Sequence, residues 1–401
     1  MINKFSSIIK KVPRMFFQFI EMSIYKIISI FYKNNNKYKD IWLICERGTE
    51  AKDNGYWMFK YIRENHPEIN VHYIIDEKYE KDYKKVAKYG NIIRYKSFEH
   101  KIAFILSNKI ISPYTGFIEP WSYKLYKMIL DRKNKKKYIF LQHGVIYNDV
   151  SEFLNKNSVK LDKFITSTKK EYEAIANNEK YGYFNNEVVQ TGLPRFDNLH
   201  NNNPKNQILL MPTWRKELTV PSYLKDGDSS KDKIFLDSEY YRRFNSLIKN
   251  KELIKILKDN NYKLVFYPHY ELQRYIKYFD TENDNIVIAD KDNYDVQELL
   301  MDSKLLITDY SSIFFDFAYM KKPLIHYCFD ELTHYKPGYF DFRKEGFGKV
   351  TSSEDEVVRL IKKYIDNNFK LDNMYENRID KVFNIRDNKN CERVFNEIKS
   401  V

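Results

Sequence analysis

The sequence predicts an α/β protein of two successive Rossmann-like lobes facing a central cleft, preceded by an amphipathic helical segment. Three observations carry this. From Tyr38 onward, short apolar runs alternate with stretches of helical periodicity. The alternation halts at Asn201-Asn202-Asn203-Pro204, a polar, Pro-containing linker, and restarts with a fresh apolar run at 207–211. Five of the apolar runs lead straight into His, Arg, Thr or Gly, the residue types that hold ligands at the carboxyl edge of an open α/β sheet.

Residues 1–37 stand apart from the rest. Ile2, Phe5, Ile8, Ile9, Phe16, Phe19, Ile20, Ile27 and Ile30 recur near helical spacing, interrupted by Lys4, Lys10, Lys11, Arg14, Glu21, Lys26 and Lys33. Runs of about 18 uncharged apolar residues do not occur, so a membrane-spanning helix is not expected. No small-residue cleavage site follows, so a signal peptide is not expected either. Mixed basic and apolar residues suit a helix lying in the membrane interface, with a helix packed on the protein's own surface as the alternative. Pro13 is expected to split or kink it.

The first lobe, 38–203, opens with a strand at Ile41–Cys45 and a turn at Glu46–Asn54, where Asp53 is placed to cap a helix running to about Asn65. Strands follow at Val71–Ile75, Asn91–Tyr95, Lys109–Ser112 and Tyr138–Gln142, with helices near 98–107 and 120–131. The lysine-rich run Arg132–Lys137 reads as a solvated loop, or as a further contact to anionic lipid. The second lobe, 204–387, carries strands near 207–211, 263–267, 285–289, 304–308 and 323–327. A polar stretch from Arg215 to Phe235, including Lys225-Asp226-Gly227-Asp228-Ser229-Ser230, reads as a long functional or disordered loop. Residues 388–401 read as a terminal helix.

Composition narrows the function classes. The net charge of +13 admits nucleic acid, an anionic membrane or an anionic small substrate, and no nucleic-acid motif accompanies it. Cys45, Cys328 and Cys391 are widely spaced and read as buried thiols in a reducing compartment, not as disulfides or a zinc site. The histidines show no paired spacing, so no metal and no cofactor is expected. Abundant Tyr, Phe, Lys, Asn and Ile reflect base composition more than function.

The strand-end motifs are Gln142-His143-Gly144, Thr191-Gly192-Leu193-Pro194-Arg195, Met211-Pro212-Thr213-Trp214-Arg215, Tyr267-Pro268-His269 and Thr308-Asp309-Tyr310-Ser311-Ser312. The last enters a helix directly, where unpaired N–H groups and hydroxyls either cradle a phosphate or simply cap the helix. His326, inside the apolar run 324–327, reads as an ordinary buried histidine.

The set HGV at 143–145, PTWR at 212–215, His269, TDYSS at 308–312 and GYFDF at 338–342 resembles the CDP-glycerol glycerophosphotransferase family of teichoic-acid and capsule polymerases and primases, across roughly 40–385. Gln142, Val145 and Tyr267 depart from the family's usual Trp, Thr and basic residue. The resemblance implies a GT-B fold and transfer of a polyol phosphate from CDP-glycerol or CDP-ribitol to a hydroxyl of a lipid-linked or polymeric acceptor, releasing CMP. It implies a peripheral place on the cytoplasmic face of the cell membrane, and no nucleic-acid partner. It marks His143 and His269 as essential. His143, on the acceptor side, is expected to be the general base, and His269 to contact donor phosphates or assist the leaving CMP. Arg215, Thr308, Ser311 and Ser312 are expected to hold donor phosphates. Arg195 is either a further phosphate ligand or a seal at the lobe junction. Asp309 is expected to orient a neighbouring group or cap the helix, Thr213 to help orient the donor, and Asp316 to touch the ribose or merely form a polar helix face. The competing enzyme reading is a GT-B sugar transferase using a nucleotide sugar. A non-catalytic polyanion-binding protein is the remaining reading.

Overall fold

The computed structural model describes residues 2–116, 118–131, 135–200, 203–219, 229–331 and 336–401, and for 2–14 and 229–230 the backbone alone. Parts of three expected features lie outside it: the linker at 201–202, the lysine-rich run at 132–134 and the polar loop at 220–228. The chain forms two compact units. The first comprises Met1–His143, Ser151–Asp197 and Asp387–Val401, the second Gly144–Val150 and Asn198–Arg386.

Seven parallel strands build the sheet of the first unit: β1 (Trp42–Ile44), β2 (Val71–Ile75), β3 (Ile92–Arg94), β4 (Lys109–Ser112), β5 (Lys137–Phe140), β6 (Lys163–Thr166) and β7 (Val188–Gln190), in the order β3-β2-β1-β4-β5-β6-β7. Strands β1, β2 and β4 are buried throughout, as parallel strands covered on both faces must be. Strand β6 escapes the sequence pattern because it opens on a charge. Lys163 is nonetheless buried, paired with Glu397 at 2.7 Å.

The six-stranded sheet of the second unit contains β8 (Gln207–Leu210), β9 (Lys263–Phe266), β10 (Ile286–Ile288), β11 (Leu305–Thr308), β12 (Leu324–Tyr327) and β13 (Gly348–Thr351), ordered β10-β9-β8-β11-β12-β13 and again all parallel. Ile208, Leu210, Phe244, Phe266, Leu305, Ile307 and Ile325 sit in its core. The edge strand β13 was not expected from the sequence. With an exposed lysine and only one buried residue at each end, it carries almost no apolar signal.

Two segments depart from the expected boundaries. Gly144–Val150 groups with the second unit, because the Tyr147 hydroxyl donates to the Tyr310 carbonyl at 2.5 Å and Asp149 bridges to Lys336. Gly338 permits that approach, since a Cβ there would lie 2.2 Å from the Tyr147 carbonyl oxygen. The terminal helix Asn390–Lys399 groups with the first unit. Asp197 accepts from the Asn390 and Cys391 N–H groups, both at 2.8 Å, and Phe395 stacks on His66 at 3.8 Å.

The N-terminal helix runs from Ile2 to Tyr32, so Pro13 does not split it. By length and composition alone its Met15–Tyr32 part is apolar enough to cross a membrane, although Glu21 and Lys26 interrupt it. Its packing argues for another disposition. Glu21 pairs with Lys101 and accepts from Trp121 Nε1 at 2.9 Å, while Gln18 accepts from the Ser122 N–H at 3.1 Å. Tyr25 packs against Phe98 and Trp121. One side of the helix is therefore fastened to the first unit. Phe16, Phe17, Ile24, Ile27, Ile30 and Phe31 stand exposed, Phe31 at 83%.

Candidate active site

In each sheet the strand order reverses once, and loops that diverge there open the crevice where open α/β sheets bind ligands. In the first unit the reversal lies between β1 and β4. The chain leaving β1 carries Glu46, whose carboxylate accepts N–H bonds from Lys52, Asp53 and Tyr56 at 2.8–2.9 Å and so folds the loop onto the start of helix Asn54–Asn65. Asp53 caps that helix through Asn54 N–H at 2.7 Å and pairs with Arg195 Nη1 at 2.7 Å. The Arg195 N–H donates to Asn54 Oδ1 at 3.0 Å, and Asn54 Nδ2 to the Gln142 carbonyl at 2.7 Å. These bonds tie the ends of β1, β5 and β7 together. Gly192, between β7 and Arg195, has φ +81°, and a Cβ there would meet Asn390 Oδ1 at 1.7 Å.

His143 follows this braced edge. The preceding Gln142 takes the left-handed conformation, φ +60°, which costs a non-glycine residue about 1–2 kcal/mol. Its buried side chain, donating to the Ile165 carbonyl, and the bond from Asn54 hold it there. The His143 ring stacks on Tyr114, 5.1 Å between centroids, and Arg47 lies over the same tyrosine at 4.3 Å. The histidine surface is open to solvent, yet protein crowds closely around it. This crowding lowers its pKa below the usual 6.5; Arg195 and Arg47 act the same way, while Asp53 opposes them. One ring nitrogen bonds to the Pro113 backbone. Proline has no N–H, so the ring donates to the Pro113 carbonyl, and in neutral imidazole the other nitrogen keeps its lone pair. The Pro113 bond orients the ring and partly offsets the lowering of its pKa.

In the second unit the reversal lies between β8 and β11. Asp309, after β11, accepts from the Thr213 N–H at 2.8 Å across that gap and from the Tyr310 N–H at 2.6 Å. Arg215, 2% exposed, reaches Asp330 through Nε at 2.6 Å and Nη2 at 2.9 Å, and Asp309 Oδ2 at 2.9 Å. Its Nη1 donates to the carbonyls of Thr213 and Trp214, at 3.0 and 3.4 Å. Burial works against the Arg215 charge, but Asp309 and Asp330 more than offset it and leave its pKa raised. Burial alone would push Asp309 toward its neutral form. Two N–H donors and Arg215 favour the carboxylate, and we take the pair as charged.

Several expected phosphate ligands are thereby reassigned. Four Arg215 hydrogen bonds go to Asp330 and the Thr213 and Trp214 carbonyls and its Nη2 is ion-paired to Asp309, so this buried guanidinium clamps three strand-end loops. Thr308 is buried and donates its hydroxyl to the Met211 carbonyl at 2.7 Å, bracing β8 against β11. Asp316 is 1% exposed inside helix Ile313–Tyr319, which removes it from the ribose of any surface-bound ligand. Thr213 is buried, its N–H on Asp309. Ser311 and Ser312 remain half-buried at the loop, and Ser312 makes no capping bond. His269 is also half-buried. Its Nδ1 accepts from the Glu271 N–H at 3.2 Å, which leaves the proton of the neutral ring on Nε2, and the ring lies 6.4 Å from that of Trp214. His326 is fully buried with Nδ1 against the Asp309 carbonyl, 2.8 Å away, a structural histidine. Among the described residues no three His, Cys, Asp or Glu side chains gather as metal ligands would.

The sequence reading passed over Tyr114, Arg47 and the Pro113 carbonyl. Ser112-Pro113-Tyr114 follows β4 just as His143 follows β5, so the strand-end rule would have flagged it had tyrosine been counted with His and Arg.

The chain resembles known proteins over nearly its whole length. It is 37% identical to the minor teichoic acid biosynthesis protein GgaB of Bacillus subtilis (strain 168) over 90% of this chain and 40% of that protein. It is 25% identical to the teichoic acid poly(glycerol phosphate) polymerase of the same organism, over 97% of this chain and 52% of that protein. It therefore spans about half or less of these relatives. The structure of the wall teichoic acid polymerase TagF superposes with a TM-score of 0.68 at 18% identity, covering 100% of this chain and 98% of that one, which shows the GT-B fold. The family described as CDP-glycerol:poly(glycerophosphate) glycerophosphotransferase matches residues 26–400, and this chain belongs to it.

Proposed function

We propose that the protein transfers a polyol phosphate, glycerol phosphate first among the candidates, from a CDP-activated donor to an acceptor hydroxyl, releasing CMP, in teichoic acid or capsular polymer synthesis. The observation that carries the reading is His143: a solvent-reached imidazole, held neutral by its surroundings, one nitrogen anchored and the other offering a lone pair. Such a group takes the proton from an attacking hydroxyl as it adds to the donor's phosphorus. Phosphoryl transfer otherwise needs positioning and charge stabilisation. For these we assign the Nε2–H of His269 and the hydroxyls of Ser311 and Ser312, on loops that Arg215 and Asp309 hold rigid. Arg195 acts through Asp53 and the His143 environment. A TagF variant soaked with CDPG supports a CDP-linked donor for the family. Family membership does not favour the nucleotide-sugar alternative.

We further read the exposed face of the N-terminal helix as a peripheral anchor on the anionic cytoplasmic face of the membrane, where a lipid-linked or polymeric acceptor is presented. The charge of +13 serves that surface and anionic substrates, not nucleic acid. A donor screen tests the reading. CMP release from CDP-glycerol or CDP-ribitol in the presence of acceptor is expected, and nucleotide release from a sugar donor alone would reject it.

A further inference from the structure

Beside Tyr114, within the first unit, lies a recess of about 370 Å³. Ile110, Ile139, Phe140 and Leu161 give it apolar walls, and Glu119, on the loop after β4, and Tyr138, on β5, line it as well. Both are more than nine-tenths buried, Glu119 at 5% and Tyr138 at 6% exposure. Neither Glu119 Oε2 nor the Tyr138 hydroxyl has a hydrogen-bond partner among the described residues, although the hydroxyl is near enough to the carboxyl to favour its ionised form. A buried acceptor and a buried donor left open side by side are costly unless something completes them.

Resting on the function proposed above, we infer that this recess is an acceptor subsite for an uncharged polyhydroxyl unit. One ligand hydroxyl donates to Glu119 Oε2, a neighbouring one accepts from Tyr138, and the carbon frame lies against the apolar walls. Few polar groups set in an apolar pocket are the usual make-up of a small-molecule site. A phosphate is disfavoured, because the Glu119 carboxyl repels it and the lysine among the lining residues, Lys124, is solvent-exposed. Burial raises the Glu119 pKa to about 7, and its own backbone, Tyr138 and Lys127 only partly oppose that rise. Position ties the recess to acceptor binding. Tyr114 lines it and carries the His143 ring, so an occupant sits next to the base. Ser122 lines it as well, and its N–H is held by Gln18 of the N-terminal helix, next to the exposed apolar face of that helix. The unit bound here is thus a piece of the acceptor carried at the membrane surface, either a sugar ring or a polyol chain.

The test uses the full chain and saturation-transfer NMR with methyl glucoside, ribitol and glycerol 3-phosphate as probes, and CDP-glycerol affinity as an independent readout. Val159 lines the recess and is partly exposed, so Val159→Phe fills it from the rim. Glu119→Gln keeps the shape and removes the charge. Saturable binding of the glucoside, weakened about tenfold or more by Glu119→Gln and lost in Val159→Phe, supports the proposal with a sugar as source. The same pattern with ribitol supports it with a polyol. Absence of binding by both, binding that survives Val159→Phe, or tighter binding of glycerol 3-phosphate than of ribitol overturns it. If CDP-glycerol binds and the neutral probes do not, the subsite fails and the transferase reading stands. If the probes bind as expected while no CDP-polyol releases CMP, the recess holds and the transferase reading fails.

Discussion

Replacing Arg215 by alanine separates a clamp from a phosphate ligand. The guanidinium is 2% exposed and ion-paired to Asp309, itself fully buried, and to Asp330, which is 22% exposed. Its removal leaves a buried carboxylate with no cation. Breaking a buried pair from one side costs about 3–5 kcal/mol. In a unit of this size each kcal/mol moves the midpoint by about 2–4 °C, so the second unit should melt roughly 6–20 °C lower. Arg215, Asp309 and Asp330 all belong to the second unit, so the first should keep its transition. Arg215→Lys keeps the charge but cannot fork onto Asp330 while reaching Asp309, and should fall between. Scanning calorimetry gives the transitions, and titration calorimetry with CDP-glycerol, well below the lowered midpoint, gives the affinity. The reasoning is refuted if Arg215→Ala melts like the wild type yet binds CDP-glycerol about tenfold or more weakly. That result would make Arg215 a phosphate ligand.

Three further outcomes are expected. Charged substitutions of Phe16, Phe17, Ile27 and Phe31 together should release the protein from anionic vesicles in a pelleting assay while leaving the Glu21 contacts and the thermal transition intact; unaltered pelleting would move the membrane contact elsewhere. Deleting the whole helix is the poorer experiment, since it would also strip Trp121 and Lys101 of their partner. Burial lowers the pKa of His72 to about 4, of His100 to about 3 and of His326 to about 4. Folded-state values below the unfolded 6.5 mean that the unfolded chain binds more protons, so stability is full above pH 6.5. It should fall as the pH drops from there toward 4, by at most about 1.4 kcal/mol per pH unit for each histidine; urea unfolding at pH 7 and pH 5 checks this, and equal midpoints would contradict it. Gly192→Ala should destabilise the first unit, because the backbone is left-handed and Asn390 fills the space, and a midpoint unchanged in urea would refute that.

Most of the architecture was legible because parallel strands buried on both faces write themselves as short apolar runs, as at Val71–Ile75 and Leu305–Thr308. The two strands missed have identifiable reasons. Lys163 looks like surface but is buried against Glu397, and Gly348–Thr351 is an edge strand with little to bury. At the site, the sequence located the loops better than the roles within them. His143 and His269 stand at strand ends as their motifs require. Arg215 and Thr308 have the right chemistry for phosphate, but only the structure shows that Asp330, distant in sequence, and the Met211 carbonyl have already claimed them. Spacing tells where a side chain starts; it does not tell which partner it finds. Pro13 does not split the first helix, which continues from Ile2 to Tyr32.

The central claim is that His143 acts as a neutral base in CMP-releasing transfer, and the pH dependence of kcat/KM tests it most directly. Because crowding lowers the His143 pKa, the acid limb should fall with its midpoint below 6.5. In His143→Asn that limb should vanish and turnover should drop about 10²–10⁴-fold, with CDP-glycerol affinity retained. Near-wild-type turnover in His143→Asn, or an acid limb that the substitution does not move, would contradict the assignment.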